Sequence, residues 1–391
     1  MPTAVIADRL RRLADTAREA GIDVVLIAPG PDLAYLLGHS VPSHERLTLL
    51  AVPAAAPDDA VMVLPALERG GWEGSAAEAA GIRFVTWLDG DDPYATILGE
   101  LGGGTELGTA AIDDHLPYLH AFRLQQARPE LRMRPAGELI AELRMRKEPF
   151  EVDELASVGA AIDRVHRRIG EWLRAGRTEN EVAADIAGAL VEEGHRTADF
   201  VIVGSGPNGA SPHHEASDRV IQPGDPVVID IGGPMPSGYF SDCTRTYVVA
   251  PAAGQDVDPD VREVYEIVRR AQAAGVAAVR PGVSAESIDA ASRQVIDQAG
   301  YGEYFITRTG HGIGLEVHEH PYMVAGNSIP LEPGMAFSVE PGIYLPGRFG
   351  VRIEDIVVVG DSGPVLMNTA TTELTVVGRS AGVGPVVDTS G

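Results

Sequence analysis

Two stretches of this chain keep step with each other, and that self-similarity constrains the fold more than any single motif. Gly176-Arg177-Thr178-Glu179-Asn180-Glu181 opens a helical pattern that ends at Gly194, with Thr178 and Glu181 at capping-box spacing. Gly282-Val283-Ser284-Ala285-Glu286-Ser287 opens a second pattern that ends at Gly300, with Ser284 at the cap; the two glycine-to-glycine intervals are equal. A long helix is expected before each, over 151–173 and 258–279. After each comes a Pro-Gly turn and an apolar strand ending in an acid. Pro223-Gly224 leads to Val227-Val228-Ile229-Asp230, and Pro333-Gly334 leads to Phe337-Ser338-Val339-Glu340. The repeat predicts two related α+β halves about a pseudo-two-fold axis.

Each half runs past its acid into a turn and a strand with a second acid. Gly232 to Gly238 is turn-rich, and Tyr239 to Val249 then carries Asp242, so pairing about Pro236 sets Asp230 opposite Asp242. In the second half a turn over 345–350 is followed by Val351-Arg352-Ile353-Glu354, which sets Glu340 opposite Glu354 about Gly347. Directly opposed side chains lie roughly 5 Å apart at Cβ. Ionised carboxylates that close repel unless positive charge lies between them. Thr309-Gly310-His311-Gly312-Ile313-Gly314 adds an imidazole whose flanking glycines permit close approach, and His318 and His320 alternate beyond it. One strand-ending acid alone is more often a turn or cap group, and one His between glycines more often structural. Two acid pairs in register plus His311 favour ligation. Asp230, Asp242, His311, Glu340 and Glu354 suit two divalent cations, whose charge four carboxylates balance. Hard oxygen donors with one nitrogen favour Mn, with Co, Zn or Fe as alternatives. Cys243 points to the opposite face from Asp242 and is expected in the core, while Thr244, Arg245 and Thr246 are expected to buttress the ligands.

The rest of the chain is long and apolar enough for full-sized cores. Its 391 residues suggest more than one domain, and 45% are hydrophobic. Helical spacing of Ile6, Leu10, Leu13 and Ala17 precedes strand candidates at 23–28, 60–64, 82–87 and 110–113, with helices expected near 66–80, 93–101 and 117–127. This alternation predicts a layered α/β domain over 1–135, ended by a connector at Met133 to Gly137. A catalytic domain follows over 136–378, then a tail over 379–391. His39, His44, His115 and His120 show no ligand spacing and are expected in surface or packing roles. A net charge of −25 and a single lysine, Lys147, argue against nucleic-acid binding. No basic-plus-apolar leader opens the sequence and no apolar run reaches the roughly 20 residues needed to cross a bilayer. A soluble protein is expected, and one cysteine fits a reducing cytoplasm.

These residues carry a resemblance. Asp230, Asp242, His311 in GHGIG, Glu340 in VEPGIY and Glu354 in RIED match the five ligands of the pita-bread metallopeptidases, the M24 group that includes methionine aminopeptidase, aminopeptidase P and prolidase. The N-terminal part, with Pro31 to Gly38, is similar to the creatinase-type domain of prolidase and aminopeptidase P. The resemblance implies a homodimeric hydrolase acting on small peptides with proline second, most simply an Xaa-Pro dipeptidase. It implies roles for Glu340 in proton transfer, for His213 and His318 beside the substrate, and for Arg352 near the bound peptide. Thr307 stands where many members carry a further His. An aminopeptidase P acting on longer peptides is the alternative. A creatinase-like C–N hydrolase or a non-catalytic binding protein on the same fold is the alternative of another class, and either should lack some of the five ligands.

Overall fold

The computed structural model describes residues 1–101 and 107–378; the expected tail, 379–391, lies outside the described residues. Two compact units form, Met1–Arg144 and the chain from Met145 onward. In the first, helix α1 (Thr3–Glu19) buries Ile6, Leu10, Leu13 and Ala17, the stripe its spacing predicts. There follow β1 (Val24–Ile27), α2 (Pro31–Leu37), β2 (Leu49–Pro53), β3 (Val61–Pro65), α3 (Ala76–Ala79), β4 (Arg83–Trp87), α4 (Pro93–Glu100), β5 (Thr109–Ile112), α5 (Tyr118–Ala127), β6 (Arg132–Pro135) and α6 (Gly137–Arg144). The strands make one mixed sheet in the order β4-β3-β2-β1-β5-β6.

Two of these strands were not expected. β2 is a short apolar run, Leu-Leu-Ala-Val-Pro, without the polar alternation that marks a half-buried strand. β6 was expected as part of a connector. Its Arg-Met-Arg-Pro sequence is that of an exposed edge strand, paired on one side only with β5. The unit therefore continues through α6 to Arg144 instead of ending at Pro135. The helix expected over 66–80 is broken into a 3-10 segment, Ala66–Trp72, which contains Gly70 and Gly71, and the short α3, with Gly74 between them.

The second unit contains α7 (Pro149–Arg168), α8 (Glu179–Glu192), β7 (Phe200–Ser205), β8 (Pro226–Pro234), β9 (Phe240–Val249), α9 (Pro259–Ala278), α10 (Ala285–Gln298), β10 (Gly310–Gly312), β11 (Glu319–Met323), β12 (Ala336–Val339), β13 (Gly342–Leu345), β14 (Phe349–Arg352), β15 (Asp355–Val359), β16 (Pro364–Leu366) and β17 (Thr375–Val377). One sheet runs β17-β9-β8-β7, another β11-β10-β12-β15-β16, and β13 pairs β14. The repeat is visible throughout. Two helices precede β7-β8-β9 and two precede β10-β12-β15. Isolated bridges tie Thr178 to Val220 in one half and Ser284 to Pro330 in the other. Gly176, Gly194 and Gly224, with their counterparts Gly282, Gly300 and Gly334, all have φ between +85° and +104°. That is backbone that glycine adopts without strain. Val227, Ile229, Ile231 and Cys243 pack on α7 and α8 residues such as Ile162 and Ile186, and Phe337, Val339 and Val357 pack on Val279 and Ile288. Strand alternation therefore turns Asp230 and Asp242 away from the helices. Among the described residues, no helix is long and apolar enough to cross a membrane.

The halves differ at their caps. Thr178 and Glu181 form a reciprocal capping box, whereas the Ser284 side chain makes no cap bond. Thr178→Ala should therefore destabilise the protein by about 1 kcal/mol, and Ser284→Ala by about half that or less. Urea-unfolding midpoints of the two variants check the asymmetry.

Candidate metal centre

The acids reach one centre by strand register. In the β8–β9 ladder Asp230 pairs Thr244 and Gly232 pairs Asp242. Asp230 and Asp242 are thus diagonal neighbours on one face and not the directly opposed pair expected about Pro236. The turn is centred on Ser237: Met235 N donates to Tyr239 O at 2.9 Å and Gly238 takes φ +92°. An extra residue in the turn shifts the ladder by two positions, which preserves the face. Gly232 opposite Asp242 is required, since a Cβ there would lie 2.3 Å from Phe200 Cζ and from Ser241 O.

In the second half, ladders β12–β15 and β13–β14 share one register, running from Ala336↔Val358 to Val339↔Asp355 and then from Gly342↔Arg352 onward. Glu340 and Glu354 occupy the opposed positions in the break between them. At that break the backbone leaves its own hairpin. Glu340 N donates to Thr309 O at 2.8 Å, beside His311, and Glu354 N donates to Thr244 O at 3.1 Å. The two halves are joined at these acids.

The side chains converge accordingly. Asp242, His311 and Glu354 each offer a ligand atom within 4.8 Å of the others, and all three are buried. His311 Nε2 lies 3.1 Å from Glu340 Oε1 and 3.6 Å from Asp242 Oδ2. Its Nδ1 faces Gly312 O at 3.1 Å, which leaves Nε2 for the centre. Asp230 Oδ2 accepts from Arg352 Nη2 at 2.6 Å. Burial first, then the neighbouring carboxylates, push Asp242 and Glu354 well above the usual carboxylate range. Glu340 is held below it. Burial acts against this, but the His311 hydrogen bond and charge, then Arg352, prevail.

Two oxygens test whether this set fits a metal. Asp230 Oδ1 and Glu354 Oε1 are buried and accept no hydrogen bond. An unpartnered buried acceptor is costly, and two of them on ligand-type groups beside a third carboxylate and an imidazole are where cations belong. The donor set is oxygen with one nitrogen and no thiolate, since Cys243 is in the core on the other face. The residues fit a pair of divalent cations.

Surrounding groups hold the ligands. Thr244 Oγ1 donates to Glu354 Oε2 at 2.7 Å, and Ser338 Oγ donates to Glu340 Oε1 at 3.0 Å. Arg245 Nη1 donates to the Glu354 carbonyl at 2.5 Å and Thr246 Oγ1 to the Arg352 carbonyl at 2.9 Å. Ser338 was not anticipated, although it shares strand parity with Glu340. Nor was the buried Lys147–Glu319 ion pair, which lies where a Cβ on Gly314 would meet Glu319 Oε1 at 2.5 Å. The glycines of the His311 segment serve the sheet as well as the ligand: a Cβ on Gly310 would sit 1.9 Å from Ser338 O.

The expected substrate-side residues divide. His318 stacks edge-on against His311 with ring centroids 4.2 Å apart. Desolvation, then the charges of His311 and Arg308, push its pKa down to about 4. His213 is exposed and near enough for its charge to act on His318. Arg352, expected near the bound peptide, is buried, and its donors go to Asp230, Thr244 Oγ1, Tyr344 Oη and Pro212 O. Thr307 Oγ1 is buried without a partner.

A site of four clustered carboxylates, Asp242 and Glu354 fully buried and Asp230 and Glu340 partly so, should be less stable empty than filled. Adding Mn to chelator-treated protein should stabilise it by about 3 kcal/mol at a hundredfold excess over Kd. Asp242→Asn should melt higher than wild type without metal and lose most of the metal-induced shift. Differential scanning calorimetry with and without Mn checks both.

Residues 153–361 match the profile of Metallopeptidase family M24, and residues 9–146 that of the Creatinase/Prolidase N-terminal domain. The chain is 51% identical over 373 residues to a Mycobacterium tuberculosis protein named "Probable dipeptidase PepE", covering 95% of this chain and 97% of that one. It is 37% identical to the Xaa-Pro dipeptidase of Lactobacillus helveticus, over 90% of this chain and 95% of that one. The crystal structure of dipeptidase PepE from Mycobacterium ulcerans superposes with a TM-score of 0.90 at 51% identity, covering 97% of this chain and all of that one. By these matches the chain belongs to metallopeptidase family M24, with a creatinase-type N-terminal domain followed in sequence by a pita-bread catalytic domain.

Proposed function

We propose that this protein is an Xaa-Pro dipeptidase that works with two divalent cations, Mn foremost, held by Asp230, Asp242, His311, Glu340 and Glu354. The observation that carries the proposal is the pair of unpartnered buried oxygens, Asp230 Oδ1 and Glu354 Oε1, inside that set. The names of the relatives support the substrate class. Single-cysteine composition supports a reducing cytoplasm, and a homodimer belongs to the same reading.

When bound, the cations would make a water acidic enough to attack and would polarise the scissile carbonyl. Glu340 stands ready as the proton acceptor. Ser338 Oγ donates to one of its oxygens at 3.0 Å and so orients the carboxylate. It would pass that proton to the departing proline nitrogen. That nitrogen carries no hydrogen in an Xaa-Pro bond, so protonation must accompany cleavage. His318, kept neutral by its surroundings, can donate an N–H to charge developing on the carbonyl oxygen. His213 would orient the substrate from the opposite rim. Arg352 is assigned to holding Asp230 and Tyr344, not to gripping peptide.

Metal-loaded protein should cleave Gly-Pro and leave Gly-Pro-Pro largely intact; the reverse preference would mark an aminopeptidase P. Turnover of creatine, or of no substrate on the panel, would favour the other class of reading. Glu340→Ala, assayed with its metal content measured, should lose about 10³-fold or more in kcat on Gly-Pro.

A further inference from the structure

One buried carboxylate outside the ligand set gathers many donors. Glu179 is fully buried at the first turn of α8, between the two residues of the capping box. Its Oε1 accepts from Ser205 N at 2.7 Å, Ser205 Oγ at 2.5 Å and Asn208 Nδ2 at 3.1 Å. Its Oε2 accepts from Asn208 Nδ2 at 3.1 Å, His214 Nε2 at 2.8 Å, Ser217 N at 3.1 Å and Ser217 Oγ at 2.7 Å. These bonds, which outweigh its burial, hold its pKa below the usual range, so His214 Nε2 must carry the donated proton.

The donors are not scattered. Ser205 and Ser217 are the two ends of one loop, and Asn208 and His214 lie within it. The loop's middle reaches the metal centre. Arg352 Nη1 donates to Pro212 O at 3.2 Å, and a Cβ on Gly350 would meet Gly209 O at 1.9 Å, so the loop rests directly on β14. His213, next to Pro212, makes no hydrogen bond with any described residue and is exposed. Its neighbours are the groups that are held, Pro212 by Arg352 and His214 by Glu179. Its place is set by where the loop is anchored, and besides the contact with β14 the anchors at both ends of the loop meet on one side chain, Glu179.

We infer that Glu179 is a positioning residue for catalysis: by tying Ser205, Asn208, His214 and Ser217 to a single buried carboxylate, it holds the 205–217 loop so that His213 faces His318 across the substrate. This rests on the reading of His213 as a substrate-side group. The carboxylate is required, because it must accept from six donor groups at once. An amide in its place would bring a donor of its own against them.

A double-mutant cycle on the metal-loaded full chain tests this. Glu179→Gln should raise KM for Gly-Pro by about tenfold or more, with bound metal unchanged and a smaller change in kcat. Ser217→Ala, which keeps the buried charge, should shift KM the same way by less. If Glu179 acts through His213, then adding Glu179→Gln to His213→Asn should change kcat/KM by less than about twofold. Effects that multiply, or a Glu179→Gln enzyme with wild-type KM, would overturn the inference. Hydrogen exchange supplies a readout without turnover: the Ser205 and Ser217 amides and the segment between should lose protection in Glu179→Gln while α9 and α10 do not. Unchanged protection would overturn the inference even if wild type cleaves no Xaa-Pro peptide, an outcome that would count separately against the proposed function.

Discussion

Mutual repulsion among buried carboxylates is the constraint on which the rest of the catalytic unit depends. Two unit charges about 4 Å apart interact by roughly 4 kcal/mol at an effective dielectric constant of 20. Four such groups in one largely buried centre cannot all ionise without compensation. Arg352 supplies one positive charge, on Asp230. The His311 ring, 3.1 Å from Glu340, supplies hydrogen bonding. Two acceptor oxygens are still left without partners. The fold thus builds a site that is electrostatically incomplete as protein alone, and completing it with cations is also what gives it hydrolytic chemistry.

Holding that arrangement requires a stiff scaffold, and the repeat provides one. Each half delivers its acids from a strand whose other face is packed on helices, so the ligands inherit the rigidity of the cores beneath them. The halves are then stitched at the ligands themselves, through Glu340 N to Thr309 O and Glu354 N to Thr244 O. Thr244 does several jobs at this seam. It pairs Asp230 across the ladder, its carbonyl accepts from Glu354, and its hydroxyl binds both Glu354 and Arg352. A substitution there would disturb both acid pairs at once.

Much of this was legible in the sequence because it is governed by parity and spacing. That Asp230 and Asp242 share a face follows from even separation, and it survives a two-residue error in register. Glu340 and Glu354 lie where their common register places them. What could not be read is what depends on residues distant in sequence. The Arg352 contact with Asp230 links positions on different hairpins, and no pattern within either hairpin announces it. Lys147 and Glu319 carry no local pattern that announces an ion pair. Glu179 was hidden inside a capping box whose logic concerns its neighbours. In the first unit, β2 and β6 were missed because one is short and the other is a charged edge strand with little burial to pattern it.

The most direct test of the account is to locate cations in crystals of the full chain grown with Mn, by anomalous scattering. The account predicts two peaks per chain, about 3.5–4 Å apart and enclosed by Asp230, Asp242, His311, Glu340 and Glu354. A single ion bound elsewhere, or no bound ion with all five side chains in place, would contradict it.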